Sequence, residues 1–159
     1  VLLASGAACF AAPAPPDGWG KEKNGLVSRV TADKAEFKAG EQIYIHYQIK
    51  NIDNEEHTVW HNGFWPNHKV VVLDADGKEA ALTPAGRDRR DAFSPGGRRD
   101  KNTPMKLSPG DVDDLWVAYD LREMFVLDQP GKYTVQYHYE ETKGDAVKSN
   151  VLEFELVKE

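Results

Sequence analysis

The residues with the most chemistry to offer lie in one basic run. Between Arg87 and Lys101 stand Arg87, Arg89, Arg90, Arg98, Arg99 and Lys101 against Asp88, Asp91 and Asp100, a local positive surplus in a chain of net charge -6. Guanidinium groups grip carboxylates, phosphates and sulfates through two parallel N–H donors. A patch of this sign on an acidic protein steers anionic partners toward itself. The wider stretch, Thr83 to Thr103, has no apolar period and holds Pro84, Gly86, Pro95, Gly96 and Gly97. It reads as a structureless loop, and loops of about 20 residues inside a small domain are usually functional or disordered. The competing reading is Arg–Asp pairing that pins the loop over a sheet, with Phe93 as an apolar peg.

His57, His61 and His68 form a second constellation. Imidazoles this near in sequence are candidate ligands for Cu or Zn. A strand over 57–61 would separate His57 from His61 by about 13 Å, at ~3.3 Å per residue, too far for one metal. The spacing therefore favours exposed polar histidines. Trp60, Phe64 and Trp65 are flat rings that could stack on a ligand or anchor a partner. The structural alternative makes Trp60 a core tryptophan and has Phe64-Trp65-Pro66 plug one end of the fold. Asp74-Ala75-Asp76-Gly77 starts like a calcium loop but has Ala85 where the twelfth-position Glu is required. A plain Asp-Gly hairpin is the better reading. Asp111, Asp113 and Asp114 read as a solvated acidic turn. The chain has no Gly-x-Ser-x-Gly elbow, no His-Glu-x-x-His and no phosphate-cradling glycine loop, so neither an enzyme nor a bound cofactor is expected.

The elements that must position these residues are strands. Gln42 to Lys50 alternates, with Ile43, Ile45, Tyr47 and Ile49 on one face. Lys132 to Glu140 repeats the pattern with Tyr133, Val135, Tyr137 and Tyr139, and Val151 to Leu156 with Leu152, Phe154 and Leu156. A period of two rich in β-branched and aromatic residues predicts half-buried strands. Further strands are predicted at Leu26–Thr31, Thr58–His61, Lys69–Leu73, Pro104–Leu107 and Leu115–Tyr119, and one helical turn at Leu121–Phe125. Ala39-Gly40, Pro109-Gly110 and Pro130-Gly131 are turns leading into strands. His46 and His138 face outward on strands of opposite sheets. The fold class is all-β, a sandwich of seven to nine antiparallel strands.

The length of 159 residues suits one domain. Residues 1–20 are apolar, then Pro-rich, and read as a truncated secretory or lipoprotein signal and linker, with the sandwich over 21–159. The one cysteine, Cys9, excludes an intrachain disulfide framework and marks a possible lipid anchor, the sole route to a membrane. The expected location is the periplasm, the outer surface or the medium. The acidic balance argues against nucleic acid; a protein or an anionic polysaccharide is the expected partner class.

Several of these segments resemble a known family. Phe37-Lys38-Ala39-Gly40-Glu41 before the strand ending at Asn51, Val70 to Lys78, Leu107-Ser108-Pro109-Gly110 and Pro130 to Val135 resemble bacterial immunoglobulin-like modules. The chain is similar to BsuPI-type proteinase inhibitor domains. It is also similar to secreted β-sandwich proteins of planctomycete-like bacteria around Gly63 to His68 and Ser149-Asn150. The resemblance implies an immunoglobulin-like fold and places Tyr133 in a tyrosine-corner role. It covers roughly 25–157 and concerns turns and core positions, which specify fold far more than activity. The sequence thus predicts a non-catalytic binding module working through Arg87, Arg89, Arg90, Phe93, Arg98, Arg99 and Lys101 beside a Phe64-Trp65 tip. The alternatives are a proteinase inhibitor, with an exposed loop in a protease cleft, and a periplasmic metal binder.

Overall fold

The computed structural model describes residues 18–61, 67–92, 103–140 and 145–158, leaving aside the side chains of His61, Thr103 and residues 115–119. In chain order the elements are β1 (Leu26–Ala32), β2 (Glu36–Lys38), β3 (Tyr44–Asn51), β4 (His57–His61), β5 (His68–Asp74), α1 (Pro84–Ala92), β6 (Thr103–Leu107), β7 (Val112–Asp120), α2 (Leu121–Met124), β8 (Gly131–Glu140), β9 (Ala146–Lys148) and β10 (Leu152–Val157). One sheet runs β1-β3-β7. The other runs β2-β10-β8-β5, with β9 also on β8, and β4 pairs with β6. All pairings are antiparallel except β2 with β10. That parallel pair arises because the chain leaves the first sheet after β1 and crosses to the edge of the second, a sheet switch common in sandwiches. The order is that of an immunoglobulin-like β-sandwich. It has ten strands among the described residues, more than expected, because β2 and β9 are three-residue strands too short to show a period.

The alternating residues meet between the sheets as the period of two requires. Ile45, Tyr47 and Ile49 from β3 pack with Tyr133, Val135, Tyr137 and Tyr139 from β8, all buried. Tyr47 stacks on Tyr137 with centroids 4.5 Å apart, and Tyr133 stacks on Phe154 at 5.6 Å. Each such side chain, fully buried, contributes about 1.5–3 kcal/mol. Tyr133 Oη donates to the Gln129 carbonyl at 2.9 Å, four residues upstream, which is the tyrosine-corner bond. Gly40 and Gly110 sit at φ of +77° and +86°, a region that disfavours other residues, and turn the chain into β3 and β7.

β3 and β4 continue one another, as do β6 and β7. Together they form one bent ribbon with its corner at Asn51. Asn51 is fully buried. Its Nδ2 donates to Glu55 O at 2.7 Å and to Leu107 O at 2.9 Å. Its Oδ1 accepts from Asp53 N at 2.8 Å. Its own N–H donates to Asp111 O, and its carbonyl accepts from Gly110 N, both at 3.0 Å. The residue at the end of the strand predicted from Gln42 onward is the joint that keeps the ribbon's hydrogen bonding continuous through the bend.

Two expectations fail here. Residues 84–92, read as structureless, are a helix. Thr83 caps it: Oγ1 accepts from Gly86 N at 3.0 Å, and Pro84 takes the first helical position, where its missing N–H costs nothing. Trp60 is half-buried, and Val59 beside it points into the core in its place, fully buried.

Candidate functional site

The Arg-bearing segment divides at residue 92. Arg87, Arg89 and Arg90 lie on α1; Phe93, Arg98, Arg99 and Lys101 lie outside the described residues, as do Phe64 and Trp65. α1 packs on the body through its first turn, against α2. Gly86 is its only buried residue, and a Cβ there would stand 2.3 Å from the Met124 carbonyl oxygen of α2. The glycine lets the helix backbone approach that close. Thr83 ties the same spot, its N–H donating to Met124 O at 2.9 Å and its Oγ1 to Glu123 O at 2.5 Å. The remaining residues of the helix are mostly charged and, except for half-buried Ala92, exposed.

Arg89 and Arg90 fall in the last turn, where cations favour the helix by a few tenths of a kcal/mol. Arg87 Nη1 donates to Leu82 O at 3.0 Å. Arg90 Nε pairs with its neighbour Asp91 at 3.0 Å, both exposed, a contact of little energetic consequence. These contacts are local to α1 and the residues just before it, and α1 packs chiefly on α2.

The stems of the other two segments meet. β4 and β6 pair His61 with Thr103, the described residues that border 62–66 and 93–102 in sequence. α1 docks instead on α2, which follows Asp120, the residue paired with Tyr44 at the other end of β7. The described elements that flank the basic segment thus lie at two ends of the β6–β7 strand.

The histidines separate. His68 is not exposed, contrary to expectation; it is fully buried. It faces Tyr139 at 5.1 Å and Tyr47 edge-on at 5.9 Å, and Nε2 donates to the Trp60 carbonyl at 3.0 Å. Tyr139 Oη accepts from Trp60 N at 3.0 Å. His68 and Tyr139 therefore tie β4 to the facing sheet, and that need for a buried donor is the physical reason for an imidazole in the core. His57 is half-buried at the other end of β4, 3.3 Å from Asp53. The Asp53 carboxyl is held below its usual range by the Asn54 N–H and by His57. No group of three metal-binding side chains occurs among the described residues.

The acidic turns use their carboxylates locally. Asp74 Oδ1 accepts from Asp76 N and Lys78 N at 3.0 and 2.9 Å. Asp111 Oδ2 accepts from Ser108 N at 2.9 Å, and Asp114 accepts from Gln48. A groove of about 610 Å³ beside the β2–β10 pair is lined by Lys34, Glu36, Lys132, Glu153, Phe154 and Glu155. Its mixed charges present no single sign to a ligand.

One grouping escapes the sequence reading. Across the outer face of the second sheet, His138 of β8 stands directly between Lys69 of β5 and Lys148 of β9. His138 was legible as outward-facing, but its neighbours are distant in sequence and meet it only through strand register.

No family model matches the chain, and no curated protein matches it. Solved structures do. A β-glucosidase of Erythrobacter marinus matches at 11% identity and a TM-score of 0.45, over 83% of this chain and 15% of that one. The CARDB domain of the PF1109 protein of Pyrococcus furiosus, solved with di-metal ions, matches at 13% and 0.42, over 84% and 94%. The alkylpurine DNA glycosylase AlkC of Pseudomonas fluorescens matches at 16% and 0.44, over 82% and 30%. The chain thus spans only a small part of the two enzymes. Scores this low carry no inference about activity or ligand, and the strand order of the chain itself defines its fold.

Proposed function

We propose that this immunoglobulin-like sandwich is a non-catalytic interaction module of the bacterial envelope that captures the acidic face of a partner protein through α1. One observation carries the reading: α1 has no apolar stripe, buries only Gly86, and leaves Arg87, Arg89 and Arg90 exposed. A short helix with no apolar face gains little from the fold. Such helices persist through caps or by bridging to something else. Arginine on a rigid helix loses less entropy per bond to a carboxylate than lysine on a loop. The basic residues Arg98, Arg99 and Lys101 follow in the same segment and extend the same charge. Export in soluble or lipid-anchored form, from the apolar and Pro-rich residues 1–20, completes the proposal.

The test is an Asp/Glu-rich peptide titrated by fluorescence anisotropy against the wild type and the quadruple variant Arg89→Ala, Arg90→Ala, Arg98→Ala, Arg99→Ala. Binding should weaken at least tenfold in the variant and fall steeply with salt, as screening demands. The thermal midpoint should stay within a few degrees. Equal affinity in the two proteins refutes the binding role, and an unfolded variant shows the segment to be structural.

A further inference from the structure

The outer face of the second sheet carries a row of three basic side chains in direct cross-strand register. Lys69 of β5 is opposite His138, and Lys148 of β9 is opposite the same histidine on its other side. The burial alternation confirms that all three point outward: Tyr137 and Tyr139 are buried, His138 is half-buried, and both lysines are exposed. Opposed residues of this kind have Cβ atoms about 4.5–5.5 Å apart. Like charges in such positions destabilise a sheet, yet neither lysine forms an ion pair or side-chain hydrogen bond among the described residues. Along β8 itself Glu140 is the nearest carboxylate, and Gln136 lies on the other flank.

The hydrogen bonds around His138 define its tautomer. Gln136 Nε2 donates to the Ser149 carbonyl at 2.8 Å. A carbonyl only accepts, so the amide orientation is settled and Gln136 Oε1 is the atom turned to the imidazole. That oxygen lies 3.0 Å from His138 Nε2, so Nε2 carries the hydrogen. Nδ1 is then the nitrogen that takes a second proton. Burial, then Lys148, then Lys69 hold His138 below its ordinary range, with Glu140 opposing them. In neutral solution the row is two ammonium groups around an uncharged imidazole.

We propose that Lys69, His138 and Lys148 form a binding site for a tetrahedral oxyanion, a sulfate or phosphate group, with His138 taking a solvent proton at Nδ1 as the anion seats. A tetrahedral dianion has enough oxygens to accept from three separate donors, whereas a carboxylate has two. Its charge offsets the Lys148 and Lys69 repulsion that adds to burial in holding His138 below its ordinary range, so binding and protonation favour one another. By reciprocity, the factor by which the anion favours protonation equals the factor by which protonation favours the anion. This site shares no residue with α1.

Sulfate is the probe, because it stays fully ionised throughout the imidazole range. The His138 ring is followed by proton–nitrogen correlation NMR through a pH titration in sodium sulfate and in sodium chloride of equal ionic strength. Sulfate should raise the His138 midpoint by about one unit, equivalent to about tenfold tighter sulfate binding at acidic pH. In the variant Lys69→Gln, Lys148→Gln the chloride midpoint should rise, and sulfate should no longer move it. In His138→Gln, sulfate affinity measured by calorimetry should lose its pH dependence. Identical midpoints in sulfate and chloride for the wild type overturn the proposal, as does a sulfate shift that survives loss of both lysines. A sulfated oligosaccharide run in parallel separates the sources: saturation at lower concentration than the free ion assigns the group to a polymer, and the reverse assigns it to the ion.

Discussion

Asn51→Ala should remove the joint of the β3–β4 and β6–β7 ribbon. The alanine deletes two donated hydrogen bonds, to Glu55 O and Leu107 O, and one accepted from Asp53 N. At about 1 kcal/mol net for each, and with a carbonyl left unsatisfied in a fully buried corner, the loss comes to about 3–4 kcal/mol. Small domains hold about 5–15 kcal/mol in total, so the variant folds but is badly weakened. Its melting point should drop by roughly 10 °C. Urea unfolding followed by both tryptophan fluorescence and far-ultraviolet circular dichroism measures the change, with an unaltered m-value certifying that the cost is in the native state. Asn51→Asp sharpens the test. It keeps the acceptor for Asp53 N but turns a carboxylate toward two carbonyl oxygens. Its loss should exceed that of alanine at neutral pH and shrink in acid, where the protonated oxygen becomes a donor. A loss below about 1 kcal/mol for Asn51→Ala would refute the claim that this amide holds the bend.

Gly86→Ala places a methyl 2.3 Å from Met124 O; backbone on both sides leaves nothing to yield, so α1 should detach while the sandwich stays folded. Hydrogen exchange at residues 84–92 should rise at least tenfold with protection in β3 and β8 unchanged, and unchanged exchange in α1 would contradict the docking. Tyr133→Phe deletes the bond to Gln129 O and should cost about 1 kcal/mol in urea unfolding, whereas a neutral result would make the ring alone responsible for the corner.

Much of the fold was legible because a strand's period is a local property. Ile45, Tyr47 and Ile49, and Tyr133 to Tyr139 by twos, announce their inward face without knowledge of a partner. The glycines at 40, 77 and 110 mark turns for equally local steric reasons. α1 was partly legible: Thr83-Pro84 is a helix-start signal, overridden in the reading by the prolines, glycines and charges that follow. A nine-residue helix with no apolar stripe offers no period to detect.

What sequence alone determined, then, is the class of fold, the facing of the long strands and the presence of a basic segment in an acidic chain. Tertiary structure decided the rest. It drew His68 into the core, because Trp60 O needed a buried donor across the sandwich. It made Asn51 a joint, because the bend left carbonyls of distant residues without a strand partner. It set Lys69 and Lys148 on either side of His138, because register fixes which residues of separate strands stand opposite. Each of these depends on how separate strands are brought together, and no local pattern of side chains encodes which strand lies beside which.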